Sequence, residues 1–102
     1  MIHAEISAYP IGTETTSGSF YLAKAIETIK NMEGIRYQIT PMGTILESKS
    51  AEEIFEAANK MMSIIHNLGV MRVEVILKID SRKDKEAKLE DKMDSINKYL
   101  KQ

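Results

Sequence analysis

Two short stretches concentrate the residues that could hold a small molecule. One is Tyr9-Pro10-Ile11-Gly12-Thr13-Glu14-Thr15-Thr16-Ser17; the other is Thr40-Pro41-Met42-Gly43-Thr44. Hydroxyls donate and accept hydrogen bonds, and glycine lets a ligand approach the backbone closely. Taken singly, each stretch is explained at least as cheaply by turn and capping chemistry. Only their convergence would make a site, and that depends on the elements that carry them.

Other chemistries find little support. The chain has no cysteine, which excludes disulfides, thiolate metal sites and thiol nucleophiles. It has two histidines. His66 falls near a helix C-terminus, where the dipole favours a cationic imidazole and a capping role. His3 sits at the far end of the first strand from the hydroxyl-rich loops. Neither a Ser-His-acid arrangement nor metal-ligand spacing is present. The expectation is no catalytic residue, no metal and no cofactor.

The elements follow from periodicity. Ile2, Ala4, Ile6 and Ala8 alternate with His3, Glu5, Ser7 and Tyr9, which predicts a strand over 2–9. A helix is expected from about Ser17 to Glu33, capped by Ser17 or Thr16, with Leu22, Ile26, Ile29 and Met32 on its apolar face. Ile35 to Thr40 alternates as a second strand, Thr40–Thr44 reverses the chain, and Thr44 to about Lys49 makes a third. Ser50 and Glu53 read as a capping box opening a helix whose apolar face is Ile54, Ala58, Met61, Ile65 and Leu68, closed by Gly69. Val70 to Asp80 is a fourth strand, with Met71, Val73, Val75, Leu77 and Ile79 on one face. A lysine-rich terminal helix is expected over 84–101, with a stripe of Leu89, Met93, Ile96 and Leu100.

The fold class is therefore α+β: a ferredoxin-like βαββαβ antiparallel sheet of order 4-1-3-2. Both main helices lie on one face, and a C-terminal helix is added. One domain is expected over 1–102. This topology brings the end of the first strand, the reversal at 40–44 and the start of the fourth strand to one edge of the sheet, so the two hydroxyl-bearing loops become neighbours. The opposite sheet face should carry His3, Glu5, Ser7, Tyr9, Arg36, Gln38, Thr40, Arg72, Glu74, Ile76 and Lys78. That face reads equally as solvated or as a subunit interface.

The 102 residues balance 14 basic against 15 acidic side chains, so no basic excess points to nucleic acid. RNA-recognition motifs share the topology but stack bases on aromatic side chains, and Thr44–Lys49 has none. Membrane contact is not expected. No run approaches ~18 apolar residues, and Glu86, Glu90, Asp91 and Asp94 interleave with the terminal lysines. The opening residues lead straight into a strand, so a cytoplasmic location is expected.

Three separated segments then carry a resemblance. They are H-A-E-I-S-A-Y-P-I-G-T-x-T-T-S from His3, Y-x-I-T-P-M-G-T-I-L-E from Tyr37, and V-I-L-K-I-D-S-R-K-D-K from Val75. Together they resemble the small thiamine-binding proteins of the YkoF-like family, over residues 2 to about 85. Ser81 and Lys83 depart from the pattern as an Asp and an Arg position. The resemblance implies a non-catalytic protein that binds thiamine or its hydroxymethylpyrimidine moiety as a homodimer or homotetramer. By motif position it implies ligand contact at Ser7, Tyr9, Thr16, Ser17, Thr40, Met42, Gly43 and Thr44. The topology adds Glu5 and Arg72 near the same edge. A regulatory or scaffolding homo-oligomer without a small ligand is the alternative, and an uncharacterised enzyme is a further one.

Overall fold

The structure, a computed structural model, describes residues 1–100. Its elements are β1 (Ile2–Ile11), α1 (Ser19–Ile29), β2 (Arg36–Thr40), β3 (Gly43–Ser48), α2 (Ala51–Asn67), β4 (Arg72–Ser81) and α3 (Leu89–Tyr99). The four strands form one antiparallel sheet of order β2-β3-β1-β4. This is the expected order read from the other edge.

Strand alternation sets which side is dry. Ala4 and Ile6 of β1 and Leu46 of β3 are buried with Ala25 and Ile29 of α1 and with Ile54, Ala57, Met61 and Ile65 of α2. Both main helices therefore cover one face. Val73, Val75, Leu77 and Ile79 of β4 pack partly against the same core. Met71 does not join them: it is 93% exposed, because the strand begins only at Arg72.

Strand β1 runs two residues further than its alternation indicated. Pro10 and Ile11 stay paired with Val73 and Arg72 of β4. The β3 ladder stops at Ile6 opposite Thr44. Beyond that pair β1 is an edge on its β3 side, where a residue without an N–H is tolerated.

Helix starts are decided by where free N–H groups find acceptors. Helix α1 opens at Ser19, with Gly18 as N-cap and no side-chain cap. Thr16 takes no part in capping, but Ser17 Oγ accepts from the Ser19 N–H at 3.4 Å, one of the free donors of the first turn. Ser50 caps α2 by accepting from the Glu52 N–H at 3.2 Å. The reciprocal half of the expected box is rerouted, since the Ser50 N–H donates to Ser48 Oγ and Ser48 Oγ donates to Glu53 Oε2 at 2.8 Å. At the other end His66 Nδ1 donates to the Val70 carbonyl at 2.8 Å, which ties the turn after α2.

Gly34 has φ +83°, and a Cβ there would collide with the Glu53 carboxylate. Gly34→Ala should lower stability by about 1–3 kcal/mol, read by urea unfolding. An unchanged midpoint would show that Glu53 moves aside freely.

The terminal helix is shorter than expected. It spans Leu89–Tyr99, not 84–101, and residue 101 lies outside the described residues. Arg82 grips Asp84 locally, and helix begins only where Asp91 accepts the Lys88 N–H and Glu47 accepts the Leu89 N–H, each at 2.8 Å. Helix α3 lies on the sheet face opposite α1 and α2. Ion pairs Arg36–Glu90 and Lys92–Asp80 hold it there. The hydrogen bond from Arg36 holds the Glu90 carboxyl below its ordinary value, and that from Lys92 does the same for Asp80. Helix α3 buries no residue fully, and Met93, Ile96 and Leu100 remain more than half exposed.

Candidate functional site

The last residues of β1, the start of α1 and the β2–β3 hairpin enclose a cleft of about 250 Å³. It takes shape because β1 and β3 stop pairing at Ile6 and Thr44, so the two strands part there. Ser7, Tyr9, Thr40, Met42 and Gly43 line the cleft, together with Ala8, Pro10, Gly18, Leu22 and Pro41. Ser7 and Thr40, distant in sequence, share it as the topology required.

The hydroxyls are not equivalent. Thr40 Oγ1 accepts from the N–H groups of Gly43 (3.0 Å) and Met42 (3.2 Å) and donates to the Gly43 carbonyl (2.7 Å). A hydroxyl offers one donor and two acceptor sites, so Thr40 is fully used in shaping the hairpin. Ser7 Oγ donates to the Met42 carbonyl at 3.1 Å and keeps its acceptor capacity. Gly43 matters for space: a Cβ on it would lie 3.0 Å from Ser7 Oγ and 3.3 Å from Glu5 Cγ. Tyr9 is 46% exposed and Met42 83%, so both form open walls rather than core.

The remaining sequence candidates are dispersed. Thr44 faces the helix side opposite Ile6, is fully buried, and its hydroxyl has no partner. Glu5 lies on the outer face beside Ser7, in a hollow under α3 with Lys78 and Leu89. Thr16 and Ser17 are exposed and do not line the cleft. Arg72 lines a second hollow of about 560 Å³, where Thr13, Glu14 and Thr15 face Tyr21 and the turn Leu68–Met71. The long loop after β1 is thus split: its first residues meet the hairpin, and its middle meets the α2–β4 turn. Sequence reasoning missed Gly18 and Leu22. Leu22 was assigned to the apolar stripe of α1, and its place one turn from the helix start was the available signal.

The lining residues are neutral. They include no carboxylate, imidazole or basic side chain, and combine apolar walls with hydroxyls and hairpin carbonyls. Such a surface suits a flat polar heterocycle, held by its edge and sandwiched by its faces. Among the described residues no group of three or more His, Asp or Glu side chains is placed to hold a metal ion. No helix among them is long and apolar enough to cross a membrane.

Comparison with known proteins gives this geometry its context. A family model described as thiamine-binding protein matches residues 4–97. A UPF0045 protein of Methanothermobacter thermautotrophicus is 40% identical over 98% of this chain and 100% of its own length. The UPF0045 protein YqgV of Bacillus subtilis is 37% identical, covering 98% of each chain. Among solved structures, a hypothetical protein of Methanocaldococcus jannaschii superposes with TM-score 0.85 at 40% identity, over 94% of this chain and 95% of its own. A Thermotoga maritima protein provisionally assigned to thiamine biosynthesis or salvage shares the fold, with TM-score 0.74 at 22% identity, over 93% and 97%. The matches run through the strand, hairpin and helix residues that build the cleft, and they place this chain in the thiamine-binding protein family.

Proposed function

We propose that the chain binds thiamine or its hydroxymethylpyrimidine moiety non-covalently, as a cytoplasmic homo-oligomer, and catalyses no reaction on it. The observation that carries this reading is the neutral cleft between Ser7 and the Thr40–Gly43 hairpin. Its volume of about 250 Å³ lies just below the ~300–1,000 Å³ usual for sites that enclose a whole ligand. That size suits the pyrimidine ring, with the rest of the molecule projecting outward. The open acceptor capacity of Ser7 and the second lone pairs of the hairpin carbonyls suit the amino group on an aminopyrimidine edge. Tyr9 and Met42 supply the faces, and Glu5, next to Ser7 beside Gly43, is the nearest carboxylate that a thiazolium cation could pair with. Membership of a thiamine-binding family supports the same ligand class.

Self-association has its own support. Met93 and Ile96 on α3, Leu100 just past its end, and Ile76 on the outer sheet face expose apolar surface that a second copy would cover. The ligand-free scaffold reading draws on the same surfaces and on Thr40, whose hydroxyl is spent on the hairpin.

Calorimetric titration with thiamine, its phosphates and hydroxymethylpyrimidine separates the readings. Saturable binding of thiamine or the pyrimidine, weakened several-fold by Ser7→Ala, is expected. Silence toward all of them at millimolar concentration would sink the ligand and leave the scaffold.

A further inference from the structure

The outer face of β1 presents Ser7, Glu5 and His3 at two-residue intervals, roughly 6.5 Å apart along the strand. Ser7 belongs to the cleft. Glu5 belongs to both sides of it. A Cβ on Gly43 would lie 3.3 Å from Glu5 Cγ, and Glu5 also lines the hollow of about 220 Å³ under α3. Ile45 of β3 and Lys78 of β4 stand directly opposite Glu5 and line the same hollow. The cleft and the hollow are therefore consecutive stretches of one face, with Glu5 as their common wall.

The charges in the hollow are unequally committed. His3 is held by Glu47 at 2.9 Å, and Asp80 by Lys92. Glu5 and Lys78 face each other across the β1–β4 ladder, and both are exposed. Opposite charges in that position attract, yet the two form no salt bridge, and neither has another ionic partner among the described residues. One unpaired carboxylate and one unpaired ammonium thus stand beside the apolar side chain of Ile45. The next row, Glu47, His3 and Asp80, is answered by its own members and by Leu89 and Lys92 of α3, which close the hollow at that end.

We infer that the preferred ligand is a phosphate ester, thiamine monophosphate, with Lys78 as its phosphate-binding residue and Glu5 as the counter-ion of its thiazolium. From the cleft toward α3 the face runs neutral, acidic, basic. The ester runs in the same order: neutral pyrimidine, cationic thiazolium, anionic phosphate. Free thiamine answers only the first two. Its thiazolium beside Glu5 also faces Lys78, and that repulsion offsets part of the attraction. A phosphate answers Lys78 with a charge-assisted hydrogen bond and removes the conflict. One unpaired lysine in a hollow closed by α3 suits a single phosphate rather than a longer chain. The inference rests on the thiamine binding proposed above and specifies which form of that ligand is taken.

Calorimetric titration with hydroxymethylpyrimidine, thiamine, thiamine monophosphate and inorganic phosphate tests it. The monophosphate is expected to bind about fivefold or more tightly than thiamine, and added salt should narrow the gap. Lys78→Gln should largely abolish that preference, and Lys78→Arg should retain it. Glu5→Gln should cut the advantage of thiamine over the bare pyrimidine by about threefold. Both side chains are exposed, and circular dichroism checks that each variant is folded. Equal affinity for thiamine and its monophosphate, or a preference that survives Lys78→Gln, overturns the phosphate assignment and leaves thiamine binding standing. Inorganic phosphate that binds as tightly as the ester makes the hollow an independent anion site and overturns the inference equally. An unaltered thiamine-to-pyrimidine ratio in Glu5→Gln removes the counter-ion role. Silence toward every thiamine compound fails the parent reading and this inference together.

Discussion

Glu47→Ala is expected to lower stability by about 3 kcal/mol and to free α3 from the sheet. Glu47 is 3% exposed, and its Oε2 accepts from His3 Nε2 at 2.9 Å and from the Leu89 N–H at 2.8 Å. Its Oε1 lies 3.5 Å from the Arg36 guanidinium. Its removal leaves the buried His3 ring N–H and the Leu89 N–H without their acceptor, at about 1–3 kcal/mol for each unsatisfied donor. Arg36 adds little, since it is half exposed and regains water. The effect should be local as well as global. Helix α3 has no fully buried side chain, so the carboxylate at its first N–H and the flanking ion pairs are what fix it. Urea unfolding gives the stability, and hydrogen exchange over 89–99 gives the docking. Glu47→Gln, which keeps an acceptor for Leu89, should fall between alanine and wild type. Unchanged exchange in α3 after Glu47→Ala would show that something other than this carboxylate anchors the helix.

The second large effect is expected at Gly43. Gly43→Val should lower affinity for thiamine or its pyrimidine at least tenfold, with a stability loss of about 1–3 kcal/mol from overpacking. Its Cβ would already lie 3.0 Å from Ser7 Oγ, 3.3 Å from Glu5 Cγ and 3.4 Å from the Ile6 carbonyl. Two further methyl groups must displace Ser7 or the hairpin. Either movement breaks the Ser7–Met42 hydrogen bond and closes the space between β1 and the hairpin. Met42→Ala is the contrasting variant, because Met42 is 83% exposed and carries no core packing. It should leave the unfolding midpoint near wild type and reduce affinity by a few-fold through lost contact with the ligand face. If Gly43→Val binds as well as the native chain, the ligand sits elsewhere.

The candidate site was legible in part. Ser7, Tyr9, Thr40, Met42 and Gly43 share one cleft because strand order alone brings the end of β1 beside the hairpin. Thr16, Ser17 and Arg72 do not share it. Their placement depends on the path of the loop after β1, and that path turns on Pro10 and Ile11 continuing to pair with β4. Turn-forming residues announce that a chain will bend; they do not say against what. The hydroxyl of Thr40 offers the same lesson. Its residue type fits ligand contact and hairpin capping alike, and only the distances show that the hairpin uses all of it.

Local pattern determined the elements, the alternation of faces and the fold class, because burial of one face imposes period two on strands and a helical stripe on α1 and α2. Tertiary structure decided where α3 begins, what Glu47 does and how the loop after β1 divides. Each of those outcomes depends on a partner far away in the chain, and a hydrogen bond between β3 and the start of α3 leaves no periodic trace in either segment.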